Sequence, residues 1–272
     1  ALAPLKADAF WLFTPKDKKF VNPKYAAKDT PKEQWDWAMR LYKDNDFKRS
    51  AEEFQRLCQS YPDSELAPEA QYYAGRSFEE QGKYLFAFEN YQKTVDNYPY
   101  TRRMDEILKR QFNIAKIFEN KDTAKLMDLE LSMSMERAAE MYGKVVDNSP
   151  FSIYAEKALF NQGELYRRMR KYDLAAQAYE RLVNDYPDSN MVDEAKYQLA
   201  YTRYEASLDP EYDQEGTDEA LKEFKQISKH TPVPSIAEEA QKAMLELVNR
   251  KAASTMKVAE FYERQRKYKS AV

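Results

Sequence analysis

From residue 31 onward, apolar positions recur at helical spacing over almost the whole chain, in paired stripes separated by tight turns. The plainest pair is Ile153 to Ser189, IYAEKALFNQGELYRRMRKYDLAAQAYERLVNDYPDS. Ala155, Ala158, Leu159, Gln162, Gly163 and Tyr166 mark the first stripe. Tyr172, Ala175, Tyr179, Leu182 and Val183 mark the second. This period predicts two amphipathic α-helices joined at Lys171. Tyr186-Pro187-Asp188-Ser189 closes the unit, with proline as the stop and Asp/Ser as candidate caps for the next helix.

The same pattern returns along the chain. Thr30-Pro31-Lys32-Glu33 reads as a helix start, with Thr as N-cap, Pro at N1 and Glu at N3. The first unit then carries Trp37, Ala38 and Leu41, a turn at Asn45-Asp46, and Phe47, Ser50, Phe54 and Leu57 before Tyr61-Pro62-Asp63-Ser64. The second has Tyr73, Ala74, Gly75 and Phe78, the turn Gln81-Gly82-Lys83, then Tyr84, Ala87, Tyr91 and Val95 before Tyr98-Pro99. The stop prolines act as a ruler: Pro62 to Pro99 is 37 residues, and so is Pro150 to Pro187. Pro99 to Pro150 is 51, with the excess expected around Glu119 to Glu130; Pro187 to Pro232 is 45, with the excess in the acidic stretch Ser207 to Gly216. After Pro234-Ser235 no breaker intervenes, so Ile236 to about Arg266 is expected as one long helix. Ala271-Val272 then fall inside what the ruler makes a second helix. The expectation is an all-α solenoid of about five to six helix pairs, with units at about 31–64, 65–101, 102–152, 153–189, 190–235 and 236–272.

Residues 1–30 have no helical period and mix Pro4, Pro15 and Pro23 with Phe10, Trp11, Phe13, Phe20 and Tyr25, so an extended aromatic leader is expected. Trp11 and Phe13 are expected to pack on the first helix pair, because terminal repeats need a cover. Ala1-Leu2-Ala3 and Ala7-Asp8-Ala9 have the small-x-small form that ends a secretory signal, which points to export.

Composition narrows the chemistry. With 33% charged residues and a net charge of −3, the 272-residue chain lacks the basic excess of a nucleic-acid binder. Five glycines leave little room for phosphate-cradling loops. One histidine, His230, and one cysteine, Cys58, leave no triad, no metal cluster and no internal disulfide. Cys58 reads as a packing thiol and His230 as a helix C-terminal cap. Glu79-Glu80 and Glu238-Glu239 read as solvated helix faces. No catalytic, cofactor-binding or metal-binding residues are assigned, no membrane span is expected, and the chain reads as a non-enzyme.

The repeat resembles the tetratricopeptide repeat, whose period is 34 residues. Gly75, Phe78, Tyr84, Ala87, Tyr91 and Pro99 match its pattern, as do Gly163, Tyr166, Tyr172, Ala175, Tyr179 and Pro187. The longer period, the Tyr-Pro-Asp-Ser endings, the aromatic leader and the late long helix are similar to the outer-membrane assembly lipoprotein family, the BamD/YfiO type, over roughly residues 30–272. Other periplasmic repeat proteins, including the cell-division coordinator type, share the Tyr-Pro-x-Ser ending. The first resemblance implies a scaffold in the periplasm at the inner face of the outer membrane. Such a scaffold joins the β-barrel assembly subunit through its C-terminal repeats and engages unfolded outer-membrane proteins. The alternative is a generic repeat adaptor of division or secretion complexes. Family members carry an N-terminal lipidated cysteine; none lies near residue 1, so an anchor is expected upstream or not at all.

In this repeat family the first helix of each pair lines the groove. Helical phase places Trp35, Met39 and Tyr42 of the first unit off the packing stripe, then Tyr72, Arg76 and Glu79 of the second. Arg102 and Arg103 open the third, and Phe160, Glu164 and Arg167 belong to the fourth. Aromatics beside arginines are the composition of protein-recognition surfaces. Trp35, Tyr42, Tyr72, Arg76, Arg102, Arg103, Phe160 and Arg167 are therefore the candidate protein-binding residues.

Overall fold

A computed structural model describes residues 12–14, 19–21, 26–120, 128–207 and 215–265. Among these residues the chain forms a short hairpin followed by eleven helices. The hairpin pairs β1 (Leu12–Thr14) antiparallel with β2 (Lys19–Val21), Phe13 opposite Phe20. Within the leader, residues 12–14 and 19–21 are extended and paired, which the irregular pattern did not announce; residues 1–11, 15–18 and 22–25 lie outside the described residues. The expected packing of the Trp11 and Phe13 side chains lies outside the described residues.

The helices are α1 (Pro31–Lys43), α2 (Phe47–Ser60), α3 (Ala67–Glu80), α4 (Tyr84–Asn97), α5 (Met104–Glu119), α6 (Asp128–Asn148), α7 (Ile153–Arg168), α8 (Tyr172–Asp185), α9 (Val192–Ser207), α10 (Glu215–His230) and α11 (Pro234–Arg264). The all-α repeat solenoid is the observed fold class. Two compact units divide the chain, residues 1–110 and 111–272. In the first, α1 packs on α2, α2 on α3 and α3 on α4; in the second the same succession runs from α6 to α11, and α9 also meets α11.

Three turns between paired helices share one geometry, and it explains their sequence. Asn45, Gly82 and Arg170 adopt positive φ of 61°, 70° and 58°. In each turn the next residue donates its N–H to a carbonyl five residues back: Asp46 to Leu41, Lys83 to Phe78 and Lys171 to Tyr166. This closure satisfies carbonyls that the helix end would leave orphaned. Glycine and asparagine suit the left-handed position; Arg170 occupies it against its own Cβ.

The Tyr-Pro endings do more than stop helices. Tyr98 Oη donates to the Pro62 carbonyl at 3.3 Å, Tyr186 Oη donates to the Pro150 carbonyl, and Tyr61 Oη donates to the Lys28 carbonyl. Tyr98 and Tyr186 therefore tie their turns to the end of the preceding repeat, and Tyr61 ties its turn to the segment ahead of α1. The following serine is not the N-cap that the pattern suggested. Leu66 is the N-cap of α3, and Ser64 and Ser189 accept instead from the N–H two residues on, at 3.2 Å. Thr30 does cap α1, accepting from Glu33 N at 3.2 Å behind Pro31, and Asp46 caps α2 by accepting from Arg49 N.

Small residues let the helices close on aromatic rings. A Cβ on Gly75 would stand 2.6 Å from Tyr91 Cε1, and one on Gly163 would stand 2.7 Å from Tyr179 Cε1. Both rings are fully buried. Ala38, Phe54, Leu57, Ala67, Ala70 and Ala74 form a core in the first unit. In the second, Tyr197, Ala200, Phe224, Ile236, Ala240 and Leu247 bring α9, α10 and α11 together.

Part of the third unit's extra length is helix: α6 has 21 residues where α2, α4 and α8 have 14. Residues 121–127 and 208–214, where the rest of the two insertions was expected, lie outside the described residues, as do Tyr268 and Ala271. The long last helix is present, with 31 residues. Among its described side chains the last buried one is Leu247, while Leu245, Val248, Met256 and Phe261 are exposed. Among the described residues, no helix is long and apolar enough to cross a membrane.

Candidate protein-binding surface

In the first unit, α3 and the start of α5 bring together a charged network that no single helix shows. Arg103, just ahead of α5, and Glu106 and Arg110 within it are spaced i, i+3 and i+7, along one face of the helix. Arg103 grips Glu69 of α3 with both Nε and Nη2, at 3.1 to 3.2 Å, and reaches Glu106 at 3.0 Å through Nη1. Arg110 bridges Glu79 of α3, at 3.1 and 3.2 Å, and Glu106, at 3.0 Å. Arg76 donates to Glu80 at 3.1 Å and to Tyr72 Oη at 3.4 Å, while its Nε is buried without a partner among the described residues. These are charge-assisted, partly forked hydrogen bonds, the strong kind.

Glu106 is the hub. Burial pushes its carboxyl up, but hydrogen bonds from Tyr72, Arg110 and Arg103 outweigh that and hold it down to about 2. Burial, joined by the carboxylate of Glu79, drives the Tyr91 hydroxyl well above the usual tyrosine range. That hydroxyl donates to Glu79 Oε2, so the buried ring is coupled to the surface network.

Tyr72 is placed differently from the expectation. Helical phase put it clear of the packing stripe, yet its ring is 1% exposed. It sits under Arg103, whose guanidinium carbon is 5.1 Å from the ring centroid, and its hydroxyl donates to Glu106. Tyr72 therefore supports the surface and does not form it; the reason is the arrival of α5, which one helix's phase cannot reveal. Arg76 and Arg103 remain partly open, with 23% and 36% of their side chains exposed. Arg102 is exposed. Trp35 and Tyr42 are half-buried in an aromatic cluster, Trp35 against Phe54 and Tyr73, Tyr42 against Phe47 and Tyr73.

The second unit holds a related group. Phe160 is half-buried against Tyr179, with centroids 5.7 Å apart, and Tyr179 Oη donates to Glu164. Arg167 donates to Glu164 at 3.3 Å and Glu205 at 3.0 Å and lies 5.4 Å above the Tyr201 ring; its Nε, too, is buried without a partner among the described residues. The order of charges is reversed between units. Arg76 and Glu79 stand where the aligned repeat has Glu164 and Arg167, and the buried tyrosine follows the glutamate in each. Glu69, Glu106, Arg110, Glu205 and Tyr201 were not singled out from sequence. The spacing of Arg103, Glu106 and Arg110 on one face was the available signal. Cys58 donates its thiol to the Ala67 carbonyl at 3.4 Å, and burial pushes it up to about 12. His230 is exposed at the end of α10.

Comparison with protein families matches residues 130–272, more than half of the chain, to the YfiO family, described as outer membrane lipoprotein. The chain belongs to the YfiO outer membrane lipoprotein family. Residues 36–100 match a tetratricopeptide-repeat family. Curated proteins give no match. Solved structures similar to this chain include a thermophilic tetratricopeptide-repeat protein of Thermus thermophilus, at 16% identity and TM-score 0.40 over 79% of this chain and all of that one. A tetratricopeptide-repeat protein from Parabacteroides merdae matches at 16% and 0.37, over 89% of each chain. MamA of Desulfovibrio magneticus matches at 13% and 0.34, over 79% of this chain and 99% of that one. Likeness this loose says nothing about function.

Proposed function

We propose that this YfiO-family protein is a periplasmic adaptor of outer-membrane β-barrel protein assembly, and that it holds partner subunits and unfolded client segments on its helical repeats. The family match carries the assembly role. The half-open arginines over buried tyrosines support the binding role. Arg76 and Arg103 are preorganised by Tyr72, Glu69 and Glu106, so a client carboxylate or backbone carbonyl meets fixed donors and little side-chain entropy is lost on binding. Because each arginine already has a carboxylate, a client exchanges partners and is held weakly, which suits a chain passed onward. The exposed end of α11 is the proposed contact for the barrel-forming subunit.

The test is anisotropy with a fluorescein-labelled peptide taken from an unfolded outer-membrane barrel strand. Arg76→Ala/Arg103→Ala is expected to weaken binding at least tenfold while far-UV circular dichroism is unchanged; equal affinity in parent and variant removes the binding role. Co-purification with the barrel-forming subunit tests the other end: the subunit is expected to be lost when residues 248–272 are deleted, and its retention refutes that contact.

A further inference from the structure

A second crevice lies on the other set of helices. In the first unit, α2 and α4 border an open cavity of about 850 Å3 that reaches down to α3. Its floor is three carboxamides: Gln55 of α2, Gln71 of α3 and Asn90 of α4. Gln55 Nε2 and Gln71 Nε2 both donate to Asn90 Oδ1 at 2.9 Å, and Asn90 Nδ2 donates to the Phe86 carbonyl at 2.7 Å. Gln71 and Asn90 are only 5% and 2% exposed. Among the described residues the side chain of Gln71 makes no other hydrogen bond, so its carbonyl oxygen and second N–H are left for whatever enters. Lys93, Asp63 and Asp96 line the crevice beside this floor.

The fold does not require this polarity. Where the aligned helices α6, α7 and α8 repeat the arrangement, with Tyr179 standing for Tyr91, the three positions hold Gly143, Leu159 and Ala178. Leu159 and Ala178 are buried at 1% and 5% exposure. Burying a carboxamide without its full set of hydrogen bonds is unfavourable, and an apolar pair fills the same place elsewhere in this chain.

We propose that the crevice is a second polypeptide site, which takes an extended, polar segment through its backbone. Gln55 and Gln71, both anchored on Asn90 Oδ1, each keep a carbonyl oxygen and an N–H in one plane, the same pair that a peptide group presents, so together they match an extended main chain. The lining charges, two carboxylates and one ammonium, admit a lysine and disfavour an acidic segment. A sugar would need a flat aromatic platform; Tyr98, the aromatic residue of the lining, already spends its hydroxyl on Pro62. The crevice is lined from α2, α3 and α4 and its lining includes neither Arg76 nor Arg103, so the two sites use different side chains.

The test uses the full chain, labelled with 15N and titrated with an end-capped, fluorescein-labelled decapeptide of alternating Ser and Thr with one central Lys. The side-chain NH2 signals of Gln55, Gln71 and Asn90 are expected to shift saturably. Gln71→Leu/Asn90→Ala installs the residues that α7 and α8 carry. It is expected to lower affinity at least tenfold, with the thermal midpoint unchanged or raised. If that variant fails to fold, Gln55→Ala takes its place, with an expected loss of at least threefold. Arg76→Ala/Arg103→Ala is expected to leave this titration unchanged, so the two binding proposals fail separately. Unmoved NH2 signals at millimolar peptide, equal affinity of parent and carboxamide variant, or shifts produced by maltoheptaose and not by the peptide would each overturn the proposal.

Discussion

Gly75→Ala sets helix propensity against packing, and the two have opposite signs. Residue 75 lies inside α3, where alanine is better than glycine by about 1 kcal/mol. The new Cβ, however, would meet Tyr91 at 2.6 Å from Cε1, 2.7 Å from Cδ1 and 3.2 Å from Cζ. A normal contact needs the ring to retreat by nearly 1 Å. The ring is fully buried and its hydroxyl is held by Glu79, which Arg110 holds in turn. Overpacking of this kind costs roughly 1–3 kcal/mol, and loosening a hydrogen bond to a charged group costs about 1 kcal/mol more. With the propensity gain subtracted, Gly75→Ala is expected to destabilise the protein by about 2 kcal/mol. Urea unfolding followed by far-UV circular dichroism measures it. The control is the same substitution in a Tyr91→Ala background: with the ring gone, only propensity remains, and Gly75→Ala should stabilise by about 1 kcal/mol. A stabilising Gly75→Ala in the parent would refute the claim that glycine is there for the ring.

Other expectations follow from single features. Arg170 sits at positive φ where the turn between α3 and α4 uses Gly82, so Arg170→Gly should raise stability by about 1 kcal/mol and Gly82→Ala lower it by about as much, both read by urea titration. The carboxyl of Glu106 is depressed in the folded state, so its contribution is complete above the ordinary glutamate range near 4.3 and is lost as pH falls through about 2. Acid unfolding of Glu106→Gln should lack that component, and an identical acid profile would show that the network is not coupled to folding. Cys58, pushed up to about 12, is essentially all thiol at pH 8; a thiol-reactive reagent should modify it much more slowly than free glutathione, and equal rates would contradict its burial.

Much of the architecture was legible because it rests on local rules repeated many times. Proline stops, the turn at Gly82 and the cap at Thr30 each act within a few residues, and Gly75 and Gly163 act on the next helix of their own pair, so periodicity exposes them. The candidate surface was legible only in part. Phase along one helix separates its own packed side from its open side, and Arg76 and Arg167, which it put off the packing stripe, are half-open. It could not tell that α5 would lay Arg103 over Tyr72 and close that ring from solvent. Nor could it pair Arg110 with Glu79, 31 residues earlier, or Arg167 with Glu205, 38 residues later.

The sequence by itself determined helix, turn and repeat, and with them the family, since each depends on spacing within one helix pair. Tertiary structure alone decided which charges neutralise each other, which tyrosines are buried, and that three carboxamides from three helices share one oxygen beneath a crevice. Those outcomes depend on contacts between different helices, such as the pairs 19, 35 and 38 positions apart that join Gln71 to Asn90, Gln55 to Asn90 and Arg167 to Glu205, where the period of a single helix carries no information.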